Sequence, residues 1–182
     1  MTPTPHPPTT ATQDAGLARL NAMDARAAAD VLRSCCGSRR WVERMVVCRP
    51  FASVTILLGG ADLIWLGLDR KDWLEAFAHH PRIGERDLSQ TKFAATAIQA
   101  GKEQSGMAVA TDAQRAEFAA GNEQYEQKFG HVFLICATGK IASQMLEQLR
   151  QRLNNDAAAE LTNAAREQSA ITRLRLERWL NT

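Results

Sequence analysis

The sequence lacks the features that mark most membrane, secreted and nucleic-acid-binding proteins. Its most apolar run, residues 54–68, is shorter than a bilayer span and contains Asp62. The N-terminus has neither the basic start nor the apolar core of a secretory signal. Lys and Arg are dispersed and the formal net charge is only +2, so we expect no membrane and no nucleic acid among its partners.

Metal and cofactor motifs are also missing. The four cysteines are Cys35, Cys36, Cys48 and Cys136. They lack the paired spacing of a zinc site or a disulfide framework, and the histidines form no metal-binding constellation. Phosphate loops, nucleophile elbows and dinucleotide fingerprints are absent. We therefore expect reduced thiols in a cytoplasmic protein that has no metal and no cofactor.

What the sequence does contain is a repeated helical pattern. With 182 residues, of which 45% are hydrophobic and 23% charged, the chain is long enough for one domain with a substantial core. Residues 1–14 are rich in Pro and Thr and predict a disordered tail, which leaves residues 15–182 as the domain. Capping residues precede runs with apolar residues at helical spacing, as at Asp24, Ser38 and Asp69. Without any alternation of strands and helices, the pattern predicts an all-α single domain of roughly eight helices.

Two short segments interrupt this pattern. Residues 131–139 (HVFLICATG) are apolar and favour a buried extended segment, which is either a plain connector or a ligand-binding stretch with accessible backbone amides. Residues 76–87 (AFAHHPRIGERD) end a predicted helix at His80-Pro81. Because Pro81 disfavours helical angles at the preceding residue, His80 is expected at a helix end. There its imidazole is either a general acid or base or a cap for backbone carbonyls.

Three further polar side chains are candidates for binding. Glu103 and Gln104 place a carboxylate beside an amide, a pair that can grip the N–H and C=O groups of a urea-like ligand. Arg175 can receive a carboxylate through two hydrogen bonds. On composition alone, an exposed position on a helix surface is the favoured interpretation for all three.

Several motifs together, in order and spacing, resemble the OHCU decarboxylase family, which converts 2-oxo-4-hydroxy-4-carboxy-5-ureidoimidazoline to (S)-allantoin in urate degradation. The motifs are LNAMD, WVERMVVCRPFAS, WLEAFAHHPRIGE, EQSG, NEQYEQKFGHVFLICATGK and ITRLRLERWL. They cover nearly everything after the tail. The resemblance implies a helical, homodimeric enzyme that acts on this small molecule without a cofactor.

The resemblance also assigns roles to the candidates. It implies that His80 is the catalytic histidine and that Glu103 is the second catalytic residue. It implies substrate contacts at Pro81, Gln104, Arg175 and the segment Leu134, Ile135, Cys136 and Ala137. Ala100 stands where the family often has serine, so a hydroxyl contact to substrate is missing there. The alternatives are a hydrolase or isomerase of a related ureide that uses the same His–Glu pair, and a helical protein that binds ureides without catalysis.

Overall fold

The structure is a computed structural model that describes residues 10–84 and 103–182. These residues contain no β-strand and form eight α-helices: α1 (Thr10–Ala22), α2 (Ala25–Cys35), α3 (Arg39–Val47), α4 (Val54–Leu66), α5 (Arg70–Phe77), α6 (Asp112–Phe129), α7 (Ala142–Arg152) and α8 (Ala157–Leu180). A 3₁₀ turn spans Ser105–Met107. The predicted all-α single domain is confirmed. Residues 89–107 (SQTKFAATAIQAGKEQSGM) also have a sequence pattern typical of a helix, but those up to residue 102 lie outside the described residues.

Side-chain caps set the starts of several helices. The carboxylate of Asp24 accepts a hydrogen bond from the backbone N–H of Ala27 at 2.8 Å, and the hydroxyl of Ser38 accepts one from Trp41 at 3.3 Å. Each cap satisfies one of the N–H groups that the first helical turn leaves without a partner. Gly130 ends α6 in the left-handed conformation that favours glycine, with φ of 75°. The helix starts at Asp24 and Ser38 agree with the sequence prediction.

Segment 54–66 is helical despite its β-branched residues and paired glycines. Its apolar side chains at three- and four-residue spacing, among them Leu57, Ala61 and Trp65, are buried on one face of α4. The indole of Trp65 donates to the backbone carbonyl of Ala165 on α8 at 2.8 Å, so burial fixes this segment as a core helix. None of the described helices combines the length and apolarity that a bilayer span requires.

The predicted tail is too long in the structure, because residues 10–14 belong to helix α1. Leu17 and Leu20 of α1 are buried, and a Cβ at Gly16 would lie 2.2 Å from the carbonyl oxygen of Leu180. The helix is therefore docked closely on the end of α8. Its upstream turn, TATQD, contains no proline, so the docked helix continues through it up to Thr10.

The C-terminal helix α8 packs against α1, α2, α4, α5 and α6 and joins two hydrophobic clusters. The larger cluster is built from α1 to α5 and one face of α8, and it includes Trp41 and Phe77. The smaller cluster is built from α6, α7 and residues 133–137, and it includes Phe118 and Met145. Residues 132–137 form no helix or strand, so this segment interrupts the helical pattern as predicted. This segment divides its side chains between the clusters, because Leu134 belongs to the larger and Ile135 to the smaller.

Candidate functional site

His80 lies in the turn that ends α5. The backbone N–H of His80 donates to the carbonyl of Phe77 at 3.0 Å, and Pro81 follows, which cannot extend the ladder of helical hydrogen bonds. His79 points elsewhere: a Cβ at Gly37 would lie 2.4 Å from Cγ of His79, so that ring covers the junction between α2 and α3. The turn thus separates the two adjacent imidazoles, and His80 faces a cavity.

The surroundings of His80 favour a neutral imidazole. Burial, followed by the positive charge of Arg175, lowers the pKa of His80 to about 3, against an opposing contribution from the side chain of Gln168. At neutral pH the ring therefore has one N–H group and one nitrogen with a free lone pair. That state can accept a proton.

The loop after His80 is fixed from two sides. Arg82 donates two hydrogen bonds to the carboxylate of Glu126 on α6, at 2.7 and 2.9 Å, and Asn122 donates to the carbonyl of Ile83 at 3.0 Å. Gly84 has φ of 83°, which a side chain would strain, and its N–H donates to Oε1 of Gln104 at 3.1 Å. The oxygen of the Gln104 amide thus supports the loop.

Glu103 and Arg175 form a buried ion pair across 72 residues of sequence. Nε and Nη2 of Arg175 each donate to a different carboxylate oxygen of Glu103, both at 2.8 Å. Arg175 is only 3% exposed and Glu103 only 6%. Arg178, one helical turn later, reaches the same carboxylate at 3.5 Å. Two-pronged contacts of this kind hold both groups in fixed orientation.

The EQSG motif brings Glu103 and Gln104 into position through its glycine. In the 3₁₀ turn Ser105–Met107, a Cβ at Gly106 would lie 1.9 Å from the carbonyl oxygen of Lys140. Only a residue without a side chain permits this close approach of two backbones. Gly106 thereby seats the turn against the end of the extended segment.

The extended segment 133–137 is held by side chains from α7 and α8. Nη1 of Arg152 donates to the carbonyl of Leu134 at 2.6 Å, and the N–H of Cys136 donates to the carboxylate of Glu167 at 2.7 Å. Nζ of Lys140 donates to the carbonyl of Cys136 at 2.6 Å. The backbone of Cys136 is thus engaged on both sides.

Arg152 itself belongs to a buried charged cluster, which we call the Arg152 cluster and which comprises Arg152, Glu160, Tyr125 and Asn155. Nε and Nη2 of Arg152 donate to Oε1 of Glu160 at 2.8 and 2.6 Å, and the hydroxyl of Tyr125 and the amide of Asn155 also donate to this carboxylate. Burial of Glu160 is outweighed by these hydrogen bonds, so its pKa is lowered. The guanidinium of Arg152 lies 4.8 Å from the ring centre of Phe133.

These elements enclose a small cavity of about 20 Å³. Seven of the predicted site residues line it: His80, Pro81, Glu103, Gln104, Leu134, Ile135 and Ala137. Arg175 joins them through its ion pair with Glu103. The prediction differs at Cys136, which is not among the lining residues and whose amide is occupied by Glu167. Ala100 lies outside the described residues. In the part of the chain that the structure describes, no group of three His, Cys, Asp or Glu side chains is placed to hold a metal ion.

Sequence reasoning missed several residues around the site. Ile83, Phe133 and Ile171 add an apolar lining, and Gln168 and Arg178 add polar groups near His80 and Glu103. A signal for Gln168 was present: it precedes Thr172 by four residues and Arg175 by seven, which places all three on one face of α8. A polar stripe on a helix that is otherwise buried on this side indicates a site.

The fold and site define a helical protein in which a half-buried imidazole and amide and a buried carboxylate and guanidinium surround one cavity. Acid–base chemistry on a small polar molecule uses this set of groups. The chain belongs to the OHCU decarboxylase family, whose sequence profile matches residues 21–177.

Named relatives agree with this assignment. Over 147 residues, 81% of this chain, it is 32% identical to the uric acid degradation bifunctional protein TTL of Arabidopsis thaliana, of which it covers 45%. It is 31% identical to the 2-oxo-4-hydroxy-4-carboxy-5-ureidoimidazoline decarboxylase of Xenopus laevis, over 70% of this chain and 73% of that protein. A crystal structure of OHCU decarboxylase in the presence of (S)-allantoin superposes with a TM-score of 0.72 at 33% identity, over 82% of this chain and 96% of that one. The chain spans less than half the length of the bifunctional relatives that it matches.

Proposed function

We propose that this chain decarboxylates 2-oxo-4-hydroxy-4-carboxy-5-ureidoimidazoline to (S)-allantoin without a metal or organic cofactor. One observation carries the proposal: a neutral His80 lies at the same cavity as the buried Glu103–Arg175 pair and the amide of Gln104. Membership of the family and the likeness to an OHCU decarboxylase structure support it. We also propose a cytoplasmic homodimer, as the family resemblance implies.

The substrate supplies its own electron sink. Decarboxylation leaves an electron pair on carbon, and cofactors such as pyridoxal phosphate accept that pair when the substrate cannot. Here the carbon that loses CO₂ is next to a ring C=N bond, so the imine accepts the pair. The protein then has three tasks, which are to orient the carboxylate, to stabilise charge as it moves onto the ring, and to move protons on one face.

His80 is suited to the proton transfer. Its neutral ring accepts the proton of the substrate's hydroxyl while the carbon–carboxylate bond breaks and the electron pair moves onto the imine. The resulting imidazolium returns that proton to the ring carbon of the enolate, and the imine nitrogen takes its proton from water. Arg175 lowers the pKa of His80 in the empty site. A bound substrate carboxylate would offset that positive charge and raise the pKa of His80 toward the working pH, which strengthens it as a base.

The other groups orient the ring. The NH₂ group of Gln104 can donate to a carbonyl of the ureido group, and the carboxylate of Glu103 can accept its N–H groups. The carboxylate of the substrate is attracted to the guanidinium side, where Arg175 and Arg178 meet Glu103. Because the cavity measures only about 20 Å³, which is room for about one water, the lining side chains must separate when the substrate enters.

The test is polarimetry or circular dichroism on freshly generated urate-oxidation product, with measured CO₂ release. Release of CO₂ with an excess of (S)-allantoin, absent from a parallel reaction without the protein, supports the decarboxylase. Turnover of the ureide without CO₂ would instead indicate the hydrolase or isomerase, and binding without turnover would indicate a ureide-binding protein.

Two variants of the same turn assign the proton transfer. His80→Asn is expected to lower the catalysed rate by roughly 10²- to 10⁴-fold, the usual contribution of general acid–base catalysis. His79→Asn is the matched control, since His79 covers Gly37 and does not line the cavity. Both variants should keep the helical circular dichroism spectrum of the parent. Equal turnover in the folded His80 variant and the parent would exclude His80 as the proton-transfer group.

A further inference from the structure

Gln168 is a fully buried polar residue on α8 at the back of the site, with an exposed fraction of 0%. Its Nε2 donates to the hydroxyl oxygen of Thr172, one helical turn later, at 3.1 Å. This hydrogen bond fixes the orientation of the amide, because Thr172 is itself buried and follows Gln168 by four residues on the same face. The amide therefore has its nitrogen engaged along the helix and its oxygen directed away from Thr172.

That oxygen has no standard hydrogen bond within the described residues. Oε1 of Gln168 is one of the few buried side-chain atoms of the described chain that lack one. Buried polar atoms without a partner are uncommon in folded proteins, so each one calls for a physical explanation. Gln168 acts on His80, because its side chain opposes the lowering of the pKa of His80 by burial, although the two side chains form no standard hydrogen bond in the structure. An N–H group of His80 is the donor that would satisfy the oxygen once the two side chains close on each other.

We propose that Gln168 is a positioning residue whose carbonyl oxygen accepts the N–H of His80 and so fixes the tautomer that presents an unprotonated ring nitrogen to the cavity. This inference rests on the proposed function of His80. A neutral imidazole has a single N–H, and the acceptor on one side decides which nitrogen carries it. The nitrogen opposite Gln168 is then left free to accept a proton from the substrate.

Glutamine is chemically suited to this task. A carboxylate in its place would also accept the N–H, but its negative charge would stabilise the imidazolium and raise the pKa of His80. The charged or titratable groups that act on His80 in the structure are Arg175 and His79, and both lower its pKa. A neutral acceptor therefore sets the orientation of the ring and leaves its protonation to the substrate.

The experiment combines nuclear magnetic resonance with kinetics on Gln168→Met and Gln168→Glu. The chain has only four histidines, so ¹⁵N-labelled histidine gives few imidazole signals, and His80→Asn identifies those of His80. In the parent we expect one tautomer of a neutral ring. In Gln168→Met, which keeps the length of the side chain but removes the acceptor, we expect a mixture of tautomers and a kcat lower by about 10- to 100-fold, with little change in KM.

Gln168→Glu tests whether Gln168 orients the imidazole of His80 or only fills space in the core. It keeps the acceptor, so the ring should keep its single tautomer, while its own charge raises the pKa of His80 and moves the acidic limb of the pH–rate profile to higher pH. Ser169→Ala is the matched control on the next residue of α8, because its hydroxyl donates to Asp62 on α4 at 2.8 Å, away from His80. It should change neither the tautomer nor kcat.

The outcomes test the role of Gln168 separately from the role of His80. An unchanged tautomer and unchanged kcat in folded Gln168→Met would overturn the role of Gln168 while leaving the proposed function of His80 intact. Full activity in His80→Asn would instead remove the proposed function, whereas the tautomer spectra would still report whether the hydrogen bond exists. If Gln168→Met fails to fold, Gln168→Glu decides: an unshifted pKa and pH profile would contradict a contact with His80.

Discussion

Replacement of Arg152 by Met should destabilise the protein far more than a typical substitution. The change removes both hydrogen bonds to Glu160 and leaves a carboxylate that is 0% exposed without a cation. Breaking a buried pair on one side costs roughly 3–5 kcal/mol. For a chain of this length, about 2–4 °C of melting temperature correspond to each kcal/mol. We therefore expect the melting temperature to fall by roughly 6–20 °C.

The double variant Arg152→Met/Glu160→Gln tests the cause of this loss. A neutral amide at position 160 can still accept from the hydroxyl of Tyr125, but it leaves no buried charge. Urea unfolding at pH 7, followed by circular dichroism, should therefore find the double variant more stable than Arg152→Met alone. The deficit of Arg152→Met should also shrink as the pH falls, because protonation of Glu160 removes the unpaired charge. A loss below about 1 kcal/mol, with no dependence on pH, would refute the reasoning.

Substrate affinity separates the second role of Arg152 from the first. Nη1 of Arg152 holds the carbonyl of Leu134, which lines the cavity, and neither variant restores that hydrogen bond. The KM of the double variant should thus stay above that of the parent even where its stability recovers. A parental KM would show that the segment keeps its place without Arg152.

Three shorter predictions follow from other features. The pKa of His80 is about 3 in the folded protein and near 6.5 in the unfolded chain, so between these values the unfolded chain binds the proton more readily. As the pH falls below 6.5, the unfolding free energy of the parent should therefore decrease relative to that of His80→Asn, by at most about 1.4 kcal/mol per pH unit. Gly106→Ala should cost about 1–3 kcal/mol and raise KM, whereas Gly59→Ala, with no atom within 4 Å, should stabilise α4 by up to about 1 kcal/mol. Full activity is expected after exhaustive chelation.

Contrary results are equally specific. A difference between parent and His80→Asn that stays constant with pH would mean that His80 has similar pKa values in the folded and unfolded states. Equal melting temperatures for the two glycine variants would show that the 3₁₀ turn can shift away from Lys140. Loss of activity on chelation, restored by one particular metal, would contradict a cofactor-free reaction.

The sequence predicts local features of this fold well. Asp24, Ser38 and Gly130 act within a few residues of themselves, so their capping roles can be read directly from sequence. The tail boundary was wrong because the docking of Leu17 and Leu20 extends helix α1 upstream, and composition does not report docking.

The contacts within the site are harder to predict, because their partners are distant in sequence. Glu103 pairs with Arg175 across 72 residues of sequence, and the side-chain oxygen of Gln104 accepts a hydrogen bond from the backbone N–H of Gly84. Family resemblance names these residues, but it does not indicate that Glu167 occupies the amide of Cys136. Which polar atoms remain available to a ligand follows only from the packed structure.

Helix α8 is continuous and contains Glu160 of the Arg152 cluster as well as Gln168 and Arg175 of the site. Each inserted or deleted residue in an α-helix rotates everything beyond it by about 100° and moves it by about 1.5 Å along the axis. A single insertion between Glu160 and Gln168 would therefore turn either the structural carboxylate or the polar groups of the site away from their partners. Insertions and deletions should therefore be tolerated in the loops of this protein but not between Glu160 and Gln168. This stretch of α8 fixes the distance and the rotation between the Arg152 cluster, which supports the cavity, and the polar groups of the site.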